Sequence, residues 1–157
     1  MPRDGQAPPA VVIGLGMPID LPDLLRIEQV FGADALSRRS LFDFIRSPSG
    51  RVFVASIDGR IVGDAIVLRP RKRRKARLYS LVVDPKARGC GIGARLLQYV
   101  EDWTAAQGRT HLTLEVRRDN SAAIALYEKA SYYRIGEVSR YYADGTDALR
   151  YEKKVGL

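Results

Sequence analysis

The sequence predicts an α/β fold, in which a mixed, mostly antiparallel sheet of about seven strands carries about four helices on its two faces. Three observations indicate this fold. Two apolar runs flank Asp58-Gly59, a strong short-range signal for a hairpin. The strand-like run 79–83 leads through a glycine-rich loop into an amphipathic helical pattern. A further strand–helix unit and two strand-like runs complete the chain, so both turns and helices join the strands.

The first half of the chain is predicted to form one strand, two helices and the hairpin. We expect strands at Val11–Leu15, 52–57 and Arg60–Leu68, and helices at 20–32 and 37–46. In the first helix Asp20 is the predicted cap, Pro22 is tolerated in the first turn, and Gly32 ends the element.

The second half alternates strands and helices. We expect a helix at 91–107, a strand at His111–Arg117, a helix at 120–130, and strands near 133–141 and at Ala148–Lys154. Alternation in the middle strand places Leu114 on one face and both Glu115 and Arg117 on the other.

One domain accounts for the 157 residues, which suffice to bury about two-thirds of the unfolded surface. We expect residues 1–9 to be a flexible tail and residues 10–157 to be the domain. The single cysteine excludes a disulfide framework and a four-cysteine metal site. Neither a signal peptide nor a run of about 20 apolar residues is recognisable. We therefore expect a cytoplasmic monomer or homodimer that does not bind membranes.

The positive charge is concentrated in one segment. The net charge is +8, and the run from Arg69 to Arg77 (RPRKRRKAR) holds seven basic residues and no acidic one. Such a run can contact RNA or another polyanion, although most basic runs are simply solvated. We expect this run and the glycine-rich loop to lie at opposite ends of the strand between them.

The loop after that strand has the composition of an anion-binding turn. Gly89, Gly91 and Gly93 alternate with two other residues, so that consecutive backbone N–H groups converge at a helix N-terminus. Arg88 adds a positive charge. The Lys-Ser/Thr of a Walker loop is absent, and five residues separate the strand from the first glycine, unlike a dinucleotide fingerprint.

The spacing Arg88-x-x-Gly91-x-Gly93 resembles the coenzyme A diphosphate loop of the GCN5-related N-acetyltransferases, the GNAT superfamily. A second segment, 114–132 (LEVRRDNSAAIALYEKASY), is similar to the strand, asparagine and Leu-Tyr-Glu helix that follow in this family. It is closest to the ribosomal-protein alanine N-acetyltransferase (RimI-like) branch. The resemblance implies the GNAT fold and direct transfer of acetyl from acetyl-CoA to a primary amine, with no metal.

The resemblance also implies a coenzyme site. Backbone groups of Leu81, Val82 and Val83 would pair with the pantetheine arm, and Asn120 would hydrogen-bond it. The predicted diphosphate loop comprises Arg88, Gly89, Cys90, Gly91, Ile92, Gly93 and Ala94. Asn120 or Asp119 would equally serve as the N-cap of the following helix. We interpret Cys90 as a spacer, because direct transfer to the amine requires no nucleophile from the protein.

Three residues are candidates for the chemistry. By resemblance, Tyr127 points its phenol at the thioester sulfur and acts as the acid, although a buried aromatic is the simpler interpretation. Glu115 corresponds to the base, and burial in a central strand would make its carboxylate a better one. Arg117 could instead pair with Glu115. Glu28 is a rival base and acceptor-binding candidate, although a surface charge is its simpler meaning.

The end of the chain bears on the acceptor. Residues 141–148 (YYADGTDA) resemble the last hairpin of peptide N-terminal acetyltransferases, which makes Tyr141 a substrate-binding candidate and favours a protein or peptide amine. A lysine, a small amine, an RNA-binding module and an inactive coenzyme A sensor stay open as alternatives. Ser131-Tyr132 stands where the family usually has Gly-Phe. We expect His111, the only histidine, to be solvated.

Overall fold

A computed structural model describes residues 10–156, which form one seven-stranded sheet with four α-helices. The strands are β1 (Val11–Leu15), β2 (Gly50–Ile57), β3 (Arg60–Leu68), β4 (Lys75–Val83), β5 (His111–Arg117), β6 (Tyr133–Val138) and β7 (Ala148–Lys154). The helices are α1 (Leu21–Glu28), α2 (Arg38–Arg46), α3 (Ile92–Ala106) and α4 (Ser121–Lys129). The predicted tail, residues 1–9, lies outside the described residues.

The sheet is mixed and mostly antiparallel, as predicted. Its strands follow the order β1-β2-β3-β4-β5-β7-β6, and β4 and β5 are the parallel pair. Apolar residues of α3 and α4 pack on one face, around Leu96 and Val100. Those of α1 and α2 pack on the other face, around Leu24 and Leu41. The central strands are therefore covered on both sides.

The predicted hairpin joins β2 to β3. Asp58 and Gly59 have φ values of 50° and 78°, the two positive angles that a type I′ turn requires. An Asp-Gly pair supplies them at low cost because glycine lacks a Cβ and aspartate tolerates the left-handed region.

The parallel pair β4–β5 separates after a short contact. Only Lys75–Leu78 of β4 pairs with β5, and a bulge then places Tyr79 between the residues that face β3. A bulge adds one unpaired residue and bends its strand. Beyond Tyr79 the two strands diverge, so the second half of β4 has no partner on the β5 side.

Some predicted boundaries were wrong. β4 starts at Lys75 rather than at Tyr79, because the buried side chains of Ala76 and Leu78 extend the strand into the basic run. Asp20 precedes α1 but does not cap it; its Oδ2 accepts a hydrogen bond from the Met17 N–H at 2.8 Å. α1 ends at Glu28 and continues as a 3₁₀ turn before α2.

Ser131 has a backbone conformation that favours glycine, and Tyr132 has a polar partner. Ser131 has φ 73°, in the left-handed region that disfavours a side chain. The Tyr132 hydroxyl donates a buried 2.8 Å hydrogen bond to Glu101, which Lys153 also contacts at 2.8 Å. The tyrosine thus gains a polar partner that phenylalanine could not use.

We predict that Ser131→Gly stabilises the protein by up to about 1 kcal/mol, because glycine relieves the left-handed strain. Chemical denaturation measures the change. Ser139→Gly is the matched control, since Ser139 is exposed and has no positive φ. A stability gain that is equal in both variants would show that Ser131 is unstrained.

Candidate active site

Two neighbouring cavities occupy the space where β4 and β5 diverge. The larger has a volume of about 710 Å³ and the smaller about 380 Å³. Both are lined by Leu81, Arg88, Asn120 and Tyr127. Tyr127 therefore lies where two molecules, one in each cavity, would meet.

The smaller cavity is bordered by the glycine-rich loop. Gly89 and Gly91 have φ values of 86° and 72°, and α3 begins directly afterwards at Ile92. This geometry aims backbone N–H groups and a helix N-terminus at one place, which suits a diphosphate. The cavity lining includes these predicted coenzyme residues: Leu81, Val82, Val83, Arg88, Gly89, Gly91, Ile92, Gly93, Ala94 and Asn120. Cys90 does not line it and is an exposed free thiol.

Asn120 caps α4 and also lines both cavities. Its Oδ1 accepts a 3.1 Å hydrogen bond from the Ala123 N–H, as the N-cap interpretation predicts. The acceptor end of the side chain is thereby used in the protein. The amide N–H donors remain for a ligand.

Tyr127 is buried, with 6% of its surface exposed. Its ring packs edge-on against that of Tyr132 at 5.7 Å. Burial raises the pKa of its phenol well above the ordinary value, and the nearby Tyr142 adds to the shift. Within residues 10–156 no group hydrogen-bonds the hydroxyl. A buried tyrosine with a purely structural role would normally have its hydroxyl hydrogen-bonded to another group of the protein.

Glu115 is largely buried but is not surrounded by apolar groups. Its side chain is 9% exposed. Its Oε2 accepts a hydrogen bond from Arg77 Nε at 3.0 Å, and its Oε1 accepts one from Arg150 Nε at 3.2 Å. Both oxygens are thus engaged by guanidinium groups.

The predicted alternative pairing of Glu115 with Arg117 was wrong. Arg117 instead contacts Asp144 at 2.6 Å and Asp119 at 3.0 Å, and its guanidinium lies over the Tyr142 ring. Its hydrogen bonds hold the pKa of the Asp144 carboxyl well below the usual range. The aspartates that bind Arg117 lie in loops on either side of the strand ends, so alternation along β5 could not identify them.

Glu28 is not a surface charge, contrary to the simpler expectation. It is 1% exposed, lies at the last position of α1 and lines the larger cavity. The Ser80 hydroxyl donates a 3.1 Å hydrogen bond to its Oε1. Burial raises the pKa of Glu28, and hydrogen bonds from Ser80 and the Leu36 backbone offset part of that increase.

Aromatic side chains form the rim of the larger cavity. The Tyr141 hydroxyl accepts a 2.6 Å hydrogen bond from Arg77, and its ring contacts that of Tyr142 at 5.0 Å. The Arg77 guanidinium also lies over the ring of Tyr79, which packs against Phe44 at 4.9 Å. The sequence analysis identified Tyr141 and missed Arg77, which it treated as part of an exposed basic run.

His111 and the acidic residues offer no metal site in the part of the chain that the structure describes. His111 is half-buried rather than solvated, and its Nδ1 is 2.8 Å from the Thr110 hydroxyl. Within residues 10–156 no helix combines the length and the apolarity of a membrane span.

The comparisons with known proteins decide the family. The sequence profile of the acetyltransferase (GNAT) family matches residues 20–132. The chain belongs to this family.

GNAT relatives include members of the predicted branch. N-alpha-acetyltransferase RimI of Mycobacterium tuberculosis is 36% identical over 115 residues, which are 71% of each chain. An uncharacterized Mycobacterium leprae protein is 36% identical over 143 residues, or 88% of this chain, and the chain spans only 39% of that protein. The structure of Escherichia coli ribosomal-protein-S18-alanine N-acetyltransferase superimposes with a TM-score of 0.85 at 28% identity, covering 94% of this chain and 96% of that one. The RimI-like resemblance and the GNAT fold are confirmed.

The smaller cavity fits the acetyl-CoA that GNAT proteins use. The loop at Gly89 and Gly91 would hold the diphosphate. The unpaired edge of β4 and the amide of Asn120 would hold the pantetheine arm. This arrangement would place the thioester near Tyr127.

We predict that Gly91→Ala weakens coenzyme A binding by about tenfold or more, because a Cβ at φ 72° costs about 1–2 kcal/mol and displaces the loop N–H groups. Calorimetry measures the affinity. Gly108→Ala is the control, since Gly108 has φ 75° but lies at the other end of α3. Equal coenzyme affinities in the two variants would refute the diphosphate assignment.

Proposed function

We propose that this protein transfers the acetyl group of acetyl-CoA to the N-terminal α-amine of a protein or peptide. The observation that carries the proposal is the junction of the two cavities at Tyr127. One cavity is bordered by an anion-binding loop, and the other is lined by the carboxylates of Glu28, Asp34 and Glu115 and by an aromatic rim. A thioester from the first and an amine from the second would meet there.

The reaction is a direct attack within a ternary complex. The amine nitrogen forms a bond to the thioester carbonyl carbon, the C–S bond breaks, and the sulfur leaves as a thiolate. The thiolate then takes up the second proton that the nitrogen loses when it becomes an amide, which gives the free thiol of coenzyme A. An α-amine has a pKa of about 7.7–8.0, so the amine loses its proton to a modest base near neutral pH. Positioning of the two reactants supplies much of the remaining rate enhancement.

Tyr127 stabilises the leaving sulfur. Its raised pKa keeps the phenol protonated at neutral pH, so the hydroxyl is always available as a hydrogen-bond donor. A thiol has a pKa of about 8.5, so complete transfer of the phenolic proton is unfavourable. A hydrogen bond to the developing thiolate is the role that this environment favours.

We predict that Tyr127→Phe lowers kcat by about 10- to 100-fold and leaves coenzyme A affinity within about twofold, since it removes only the donor to the leaving group. Steady-state kinetics and calorimetry test the two parts. Tyr132→Phe is the control: it breaks the bond to Glu101 and lowers stability without removing a group from the cavities. Full turnover in Tyr127→Phe would end this assignment.

Two carboxylates compete for the role of base. Glu115 is the one that the resemblance predicts, but an incoming ammonium would have to displace Arg77 or Arg150 from its oxygens. Glu28 lines the same cavity, has no cationic partner within residues 10–156, and has a raised pKa. We assign proton abstraction to Glu28 and the positioning of Arg77 and Tyr141 to Glu115.

We predict different kinetic defects for the two glutamines. Glu28→Gln should lower kcat/KM by about 100-fold at neutral pH, because the proton acceptor is lost. It should also abolish the fall of kcat/KM on the acidic side of the pH profile. Glu115→Gln should mainly raise KM, because Arg77 and Tyr141 lose their anchor. Full pH–rate profiles of both variants make the comparison, and the opposite pattern would return the base to Glu115.

Several observations favour a peptide acceptor. The rim at Tyr141 and Tyr142 is aromatic, and Asp34 accepts a 3.0 Å hydrogen bond from the Ala143 N–H, which joins the last loop to the α1–α2 connection. Similar proteins are named N-alpha-acetyltransferase and ribosomal-protein-S18-alanine N-acetyltransferase. Intact-mass analysis after incubation with acetyl-CoA tests the class, using a peptide with a free N-terminus, its N-blocked form with an internal lysine, and a polyamine. Modification of the blocked peptide or of the polyamine alone would overturn it.

A second candidate function concerns the basic run. Arg71, Lys72, Arg73 and Arg74 are exposed in the turn before β4, whereas Lys75 pairs with Glu152 and Arg77 pairs with Glu115. Four exposed cations support contact with a polyanion. RNA binding that is steeply salt-dependent, and is lost when these four residues become Gln, is the expected result. Binding that is insensitive to the four substitutions would exclude it.

A further inference from the structure

Asp64 is a buried carboxyl group that the proposed reaction does not use. It lies in the middle of β3, is 0% exposed, and neither of its oxygens has a hydrogen-bond partner in the described chain. An unpaired carboxylate in such a place is very costly, and buried polar groups normally have partners. Its presence in an otherwise apolar strand calls for a physical reason.

The register of the sheet places Asp64 near Glu28. Ser80 faces Ile66, and Val82 faces Asp64, so Ser80 and Asp64 are diagonal neighbours on one face of the sheet. Such neighbours lie about 7–8 Å apart. The Ser80 hydroxyl bonds Glu28 Oε1, which brings the Glu28 carboxyl to the same position above the sheet.

No cation faces this pair within residues 10–156. β2 and β4 present Val54 and Val82 to Asp64, and α2 contributes Leu41 to the same apolar cluster. The cationic side chain of α1, Arg26, is engaged by Asp84 at 2.8 Å and by Asp23 at 3.5 Å. In the described chain the polar neighbours of the two carboxyl groups are therefore each other, the Ser80 hydroxyl and the Leu36 backbone, and none of them is a cation.

We propose that Asp64 remains protonated in the folded protein and donates its proton through one buried water towards the Glu28 carboxylate, so that the pair carries a single negative charge. Two like charges in a shared apolar site cannot both ionise near neutral pH. Burial raises the pKa of Asp64 well above its ordinary value, and the Glu28 charge adds to the shift. A water bridge needs a polar site with several partners, which the two carboxyls and Ser80 provide.

This arrangement assigns a positioning role to Asp64 and deepens the proposed function, on which that role rests. A hydrogen bond donated to Glu28 favours its ionised form and offsets the effect of burial. Glu28 then takes a proton from the acceptor ammonium: the N–H bond breaks, an O–H bond forms at Glu28, and the amine keeps the electron pair that attacks the thioester. Asp64 keeps its own proton throughout and does not touch the substrate.

The protonation of Asp64 is tested without any activity measurement. A carboxyl whose folded pKa is raised binds its proton more tightly in the folded state, so its stabilising effect is complete below the unfolded pKa of about 3.9 and is lost as the pH rises towards the folded value. The unfolding equilibrium constant of the wild type should therefore increase relative to that of Asp64→Asn, by up to tenfold per pH unit above about pH 4. Parallel stability profiles would show that Asp64 ionises normally and would overturn the proposal.

The coupling to Glu28 is tested by the pH dependence of kcat/KM. Asp64→Leu removes the donor, so the acidic limb should move to higher pH by about one unit or more, whereas Asp64→Asn keeps an N–H donor and should leave the limb near its wild-type position. A shift to lower pH in Asp64→Asn would mean that Asp64 is ionised, and an unmoved limb in both variants would mean that it does not act on Glu28. If no amine is acetylated at all, the proposed function fails, while the stability profiles still decide the protonation of Asp64.

Discussion

The early end of the β4–β5 pairing is the constraint on which the active site depends. A parallel pair that continued would close the sheet and consume the backbone groups of β4. The bulge at Tyr79 ends the pairing after Leu78, and both cavities lie in the space that this opens. The glycine-rich loop and Asn120 line that space because each follows the end of one of the diverging strands. The active site is therefore an opening between two strands that stop pairing, and the pairing in the rest of the sheet stabilises this opening.

Whether a charged side chain in this site is neutralised depends on the groups around it and not on its residue type. Glu115 and Arg117 share a strand face, yet each is neutralised by different groups: Glu115 by arginines of β4 and β7, and Arg117 by loop aspartates. Glu28 faces the same cavity without a cation in the described part of the chain. Asp34, the third carboxylate at this cavity, also pairs with Arg117, so Glu28 is the carboxylate that an ammonium would approach without competition from a fixed counter-ion.

The sequence predicted those features that depend on neighbouring residues. The hairpin turn, the glycine-rich loop and the cap at Asn120 follow from local backbone chemistry, and the strand alternation correctly placed Glu115 opposite Leu114. It could not predict features that depend on distant contacts. The hydrogen bond from Ser80 to Glu28 joins residues 52 positions apart, and the Arg77–Glu115 pair joins residues 38 positions apart. The sequence did not identify Asp64, because the role of this single acidic residue depends on its proximity to Glu28 in the folded protein.

The central claim is that the two cavities deliver thioester and amine to one point beside Tyr127. Calorimetry with a conjugate that joins coenzyme A to a peptide N-terminus through an acetyl bridge measures this directly. If both cavities are used at once, the conjugate should bind at least about 100-fold more tightly than coenzyme A alone, because linking turns the second binding event into an intramolecular one. Affinity equal to that of coenzyme A would contradict the account, since it would mean that the larger cavity does not receive the acceptor.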